Sequence, residues 1–144
     1  MSLIRLIYTS HAELDLRLSD IKEILTTART NNHALDVCGM LFYNAKYFLQ
    51  ALEGEEQNVQ SLFDKIAEDF RHEGVHIISR EEITQPLFSD WSMGYTGNTV
   101  AVDDTLRSMD IDSDDLTQLN AQQCLTLLTK MGELQALDNV AEPS

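Results

Sequence analysis

Basic residues are scarce in this chain: 10 Lys and Arg stand against 24 Asp and Glu, a formal net charge of -14 over 144 residues. A polyanion repels phosphate backbones and anionic headgroups, which argues against nucleic acid and membrane surfaces as partners. Cysteine is scarce too. Cys38 and Cys124 lie far apart, have no C-x-x-C spacing and sit in apolar stretches, where a free thiol acts as a small hydrophobe. The expectation is a reduced, cytoplasmic protein without a disulfide. No apolar run approaches the ~20 residues of a membrane span. The start, Met1-Ser-Leu-Ile-Arg-Leu-Ile-Tyr8, has no basic leader and is interrupted by Arg5, so it is not read as a signal peptide. Catalytic signatures are missing as well: there is no G-x-G-x-x-G, no G-x-x-x-x-G-K-S/T, no G-x-S-x-G and no H-E-x-x-H.

What is present is an ordinary globular composition, 43% hydrophobic and 24% charged, enough for one compact unit with a core. Leu3 to Tyr8 reads as a central strand. Ile21, Ile24, Leu25 and Ala28 make an amphipathic helix with Ser19 and Asp20 as cap candidates, ending near Asn31-Asn32. Val37–Tyr43 and Tyr47–Glu53 read as two strands joined by the turn Asn44–Lys46, the second closed by Gly54. Val59, Leu62, Phe63, Ile66, Ala67 and Phe70 form the clearest helical stripe. Gly74 breaks it, Val75–Ile83 resumes as strand, and a last short strand falls around Asp90–Gly94 after Pro86. The order β-α-β-β-α-β plus one strand predicts an α+β, ferredoxin-like, five-stranded mixed sheet with two helices on one face.

After Gly97 the composition shifts. Residues 101–144 hold 9 of the 24 acids and only Arg107 and Lys130 as bases. Ala121–Leu137 nevertheless reads as a helix capped by Asn120, with Cys124, Leu127, Leu128, Met131 and Leu134 on one stripe. A sheet with two helices leaves its second face bare, so this C-terminal helical extension is expected to cover it. The division is 1–97 and 98–144.

Some polar residues stand where apolar ones would serve stability better. Gln50 lies between Phe48 and Leu52 on one face of its strand, with Leu49 and Ala51 on the other. A buried, unsatisfied amide costs ~1–3 kcal/mol, so it needs a partner. Tyr8 shares a face with Ile4 and Leu6, and its hydroxyl needs one too. Strands 1 and 3 are neighbours in a ferredoxin-like sheet, so Tyr8 and Gln50 can be hydrogen-bonded neighbours. This pair is equally readable as a satisfied core contact. His72 and His76 are four apart but separated by Gly74, and read as solvated surface rather than a metal site. Glu53, Glu55 and Glu56 read as helix N-terminal charge complementing the dipole.

Arg5-Leu-Ile-Tyr8, Asn31-Asn32, Cys38-Gly-Met-Leu41, Phe48-Leu-Gln-Ala-Leu-Glu-Gly54, Asp69-Phe-Arg-His72 and Trp91-Ser-Met93 together closely resemble BLUF domains, the FAD-binding blue-light sensors. The resemblance runs over about residues 1–97 and is nearest the short stand-alone photoreceptors of the PixD type, with Gln122-Gln-Cys-Leu125 similar to their last helix. It implies FAD held between the two helices, with Ile24 and Ile66 sandwiching the ring system and Asn32, beside Asn31, at its pyrimidine edge. Lys65, Arg71 and His72 are implied at the ring carbonyl edge or the ribityl-phosphate side. Tyr8 and Gln50 are implied as the photoactive pair, flanked by Trp91 and Met93. Light-driven electron and proton transfer from Tyr8 then rearranges the Gln50 hydrogen bonds, and no substrate is turned over.

The resemblance further implies a homo-oligomer and a light-dependent protein partner of response-regulator-like kind, to which the acidic tail would offer a basic-face match. Two departures stand out: Ala28 lacks the hydroxyl that relatives often carry there, and residues 94–115 diverge most from the PixD pattern. From the residues alone, a ferredoxin-like small-molecule enzyme or ligand-binding regulatory domain without flavin stays open.

Overall fold

The computed structural model describes residues 2–12, 18–43, 46–68, 72–88, 94–96, 100–111 and 116–138. Strands β1 (Leu3–Ala12), β2 (Cys38–Tyr43), β3 (Tyr47–Glu55) and β4 (His72–Ile83) form an antiparallel sheet in the order β4-β1-β3-β2. The three-residue β5 (Gly94–Thr96) lies along the outer edge of β2, parallel to it, with Met40 opposite Gly94 and Leu41 opposite Tyr95. Helices α1 (Leu18–Ala34) and α2 (Glu56–Glu68) cover one face. Helices α3 (Val100–Ser108) and α4 (Ala121–Asp138), with a 3-10 turn at Leu116–Gln118, cover the other.

The period-two alternation of β1 and β3 sorts the side chains into two cores. Ile4, Leu6 and Tyr8 join Phe48, Leu52 and Leu41 under Ile21 and Leu25 of α1 and Val59, Leu62 and Phe63 of α2. Ile7, Met40, Phe42, Leu49 and Ala51 pack with Val102, Leu106, Cys124, Leu127, Leu128 and Met131 on the far side. Each fully buried leucine contributes ~1.5–3 kcal/mol, so α4 is integral to the folded unit rather than an appendage. Asn120 caps it reciprocally: its Oδ1 accepts from Gln123 N–H at 2.8 Å and its own N–H donates to Gln123 Oε1 at 3.0 Å.

Several boundaries differ from the sequence expectations. Asn31 and Asn32 do not stop α1; they are its last turn. The left-handed residue is Asp36 (φ 55°), where Asp36 N–H reaches the His33 carbonyl and Val37 N–H the Asn32 carbonyl. Ser19 and Asp20 lie within the helix rather than ahead of it. Gly54 continues β3, and its lack of a side chain matters: a Cβ there would come within 3.0 Å of Val37 Cγ2. Gly74 does not precede β4 but lies inside it at φ 56°, where the β1–β4 register slips between Thr9 and His11. Helix α3 was not expected; its apolar stripe is short, with Val102 and Leu106 entering the core. The expected strand at residues 90–94 lies outside the described residues except for Gly94, where β5 begins.

Candidate functional site

Tyr8 and Gln50 are directly opposite across the β1–β3 ladder, and Gln50 is in turn opposite Leu41 on β2. Tyr8 is 0% and Gln50 3% exposed, and the Tyr8 hydroxyl donates to Gln50 Oε1. Phe63 of α2 meets the Tyr8 ring edge-on, centroids 5.2 Å apart at 74°. Complete burial pushes the Tyr8 phenol well above the ordinary 10.0, so it keeps its proton throughout the neutral range.

Helix α1 carries Ile21, Leu25, Ala28 and Asn32 on one inward stripe, so the position following three apolar residues delivers an amide. Asn32 is 2% exposed; Asn31 is half-buried. Ile24 on α1 and Ile66 on α2 are half-buried and pack against the same core as Tyr8. Asn58 Nδ2 donates to the Leu35 carbonyl at 3.0 Å, tying the start of α2 to the end of α1 and fixing the two helices relative to each other. Two helices with apolar, incompletely buried side chains and a floor carrying a phenol and amides suit a flat ring system that is apolar on its faces and polar at one edge.

Not every expected site residue joins this group. Lys65 is exposed and lines an open surface cleft with Gln60, Asp64 and Arg80. His72 opens β4, but its side chain, like all of Arg71, Trp91 and Met93, lies outside the described residues.

The opposite face of the same strands holds a polar row that the sequence reading missed. Glu53 is not helix N-terminal charge: it belongs to β3 and is 0% exposed. Arg5 Nε donates to Glu53 Oε2 at 2.8 Å and Arg5 Nη1 to Glu81 Oε1 at 3.0 Å. Cys38 Sγ lies 3.5 Å from Glu53 Oε1, and burial, followed by the Glu53 charge, pushes the thiol up to about 12. The available signal was one base and one acid interrupting otherwise apolar strands expected to be neighbours.

Residues 3–94 match the family model described as "BLUF: Sensors of blue-light using FAD". Among curated proteins, the blue light- and temperature-regulated antirepressor of Escherichia coli K12 is 39% identical over 67 residues, 46% of this chain but 17% of that protein. Photoactivated adenylate cyclase subunit beta of Euglena gracilis is 32% identical over 73 residues, 51% of this chain and 8% of that protein. The chain thus spans a minor part of both relatives. Among solved structures, the photo-activated state of BlsA superposes with a TM-score of 0.82 at 31% identity, covering 90% of this chain and 94% of that one. The dark state of BlrB, described as a BLUF protein, gives 0.78 at 27% identity, covering 93% and 97%. The flavin-free reading is thereby set aside, and the chain belongs to the BLUF family of FAD-binding blue-light sensors.

Proposed function

We propose that this blue-light sensor stores its signal in the Tyr8–Gln50 hydrogen bond. FAD, when bound and excited by blue light, supplies an oxidant able to take an electron from a phenol. Tyr8 is the donor: oxidation makes its Oη strongly acidic, and the proton has Gln50 Oε1 in line to receive it. The glutamine carries an acceptor and a donor at one end of its side chain, so it holds two hydrogen-bond patterns, by rotation or by tautomer. When the electron and the proton both return to Tyr8, the phenol is restored, and Gln50, left reversed, offers a different hydrogen-bond pattern to its surroundings. Ile24 and Ile66 are assigned to the faces of the flavin and Asn32, with Asn31, to its pyrimidine edge. Lys65, Arg71 and His72 are assigned to its carbonyl edge or phosphate side, a role to which the exposure of Lys65 is suited.

The observation carrying this reading is the buried, directly opposed Tyr8–Gln50 pair. The output is a change of assembly or of protein binding. Residues 1–97 act as the sensor and 98–144 as the extension that transmits, with Trp91, Met93 and the parallel β5 between them. The name of the Escherichia coli relative, an antirepressor, supports a protein partner. Among the described residues no helix is long and apolar enough to cross a membrane. The Euglena cyclases are far longer than the stretch they share with this chain, and we assign no turnover to the shared part.

The test is an illumination spectrum of FAD-loaded protein, with size-exclusion chromatography in light and dark. A reversible red shift of the flavin band and a light-dependent change in assembly or partner capture are expected. A flavin spectrum that does not respond to blue light refutes the proposal.

A further inference from the structure

One carboxylate withdrawn from water organises the face of the sheet opposite the switch. Glu53 lies three residues beyond Gln50 on β3, in a cross-strand row that runs Glu81, Arg5, Glu53, Cys38 over β4, β1, β3 and β2. Arg5 and Cys38 use part of its acceptor capacity. Backbone takes the rest: Phe88 N–H donates to Oε1 at 2.8 Å, and Leu87 N–H reaches Oε1 at 2.9 Å and Oε2 at 3.0 Å. Two successive amides on one buried carboxylate define the path of the chain there. Leu87 is accordingly held with its side chain 54% exposed, while Phe88, 3% exposed, enters the core shared with Val102 and Leu106 of α3 and Leu127 of α4.

The clasp also precedes β5 in the chain. Gly94, six positions after Phe88, is opposite Met40, two positions along β2 from Cys38, the cross-strand partner of Glu53. The next residue, Tyr95, is opposite Leu41, which is opposite Gln50. Glu53 thus holds Leu87 and Phe88, and β5 lies on the register row of the switch.

We propose that Glu53 is the positioning residue for signal output, resting on the photoswitch reading of Tyr8 and Gln50. A buried carboxylate has no water to take the place of a lost partner, so its amides follow it or remain unsatisfied. Movement of β3 when Gln50 rearranges is therefore passed to Leu87 and Phe88, and through Phe88 to α3 and α4, instead of being absorbed in a loop.

The experiment compares FAD-loaded wild type, Glu53→Ala and Glu53→Gln by two readouts: the red shift, and the light-minus-dark difference in hydrogen exchange across α3 and α4. Glutamine keeps an acceptor for the amides, whereas alanine removes it. Wild type and Glu53→Gln should show the exchange difference, and Glu53→Ala should keep the red shift while that difference falls to about one-fifth or less. A red shift with an undiminished exchange difference in Glu53→Ala overturns the role of Glu53 alone, as does a wild type that shifts but shows no difference there. A wild type without a red shift overturns the photoswitch reading and this proposal with it. Should Glu53→Ala fail to fold, Leu87→Pro removes one clasped amide at an exposed side chain. It should lower the difference about threefold, and an unchanged value overturns the proposal.

Discussion

Replacing either member of the Tyr8–Gln50 pair separates its structural from its signalling role. Tyr8→Phe keeps the ring and its edge contact with Phe63 but takes the donor from Gln50 Oε1. Gln50→Leu keeps volume but leaves a phenol hydroxyl, in a side chain that is 0% exposed, without that acceptor. A buried polar group stripped of its partner costs ~1–3 kcal/mol, so each single change should cost that much. The double variant Tyr8→Phe/Gln50→Leu leaves neither group stranded. It should cost less than the two singles together, with a coupling of ~0.5–3 kcal/mol. Urea unfolding of the FAD-free chain reads this directly. At a slope of ~2 kcal/mol per molar, a loss of ~2 kcal/mol moves the midpoint by about 1 M. Loaded with FAD, both single variants should bind flavin and lack the red-shifted state. Single costs that add to within ~0.5 kcal/mol would show that the bond does not hold the two groups together. A normal red shift in either single variant would refute its signalling role.

Among the described residues Thr9 Oγ1 is buried without a hydrogen-bond partner, so the isosteric Thr9→Val should stabilise the protein by about 1 kcal/mol in the same unfolding assay. Arg5→Met strands the buried Glu53 carboxylate and should cost ~3–5 kcal/mol. Glu81→Gln breaks the other arm of the same arginine, but the Glu81 side chain is 51% exposed, and the loss should stay below about 1 kcal/mol. Burial raises the Cys38 and Cys124 thiols from 9.0 to about 12, so the unfolded chain ionises first. The stability they contribute is whole below pH 9 and is lost as pH rises toward about 12, and alkylation of folded protein at pH 8 should be slower by on the order of a thousandfold than of unfolded chain.

Periodicity was sufficient for the alternating strands and striped helices, because which face of an element is buried depends on residues two, three or four apart along the chain. That is why Tyr8 beside Gln50, the inward stripe of α2 and the capped α4 were legible beforehand. The end of α1 was not. Asn31 and Asn32 favour stops locally, yet the buried face claims Asn32 as the fourth member of the Ile21, Leu25, Ala28 stripe, and the helix closes at Asp36 instead. Helix α3, with a short amphipathic pattern, depends on the core under α4 for its place. Glu53 shows the difference most clearly. In the chain it is one acid among Glu53, Glu55 and Glu56, and local charge describes all three alike. In the fold it alone is sealed from water, because the partners that make its burial tolerable come from positions 5, 38, 87 and 88. Sequence determined which residues face inward; only the tertiary structure decided which charges could meet there, since ion pairing depends on distances in space that no local pattern encodes.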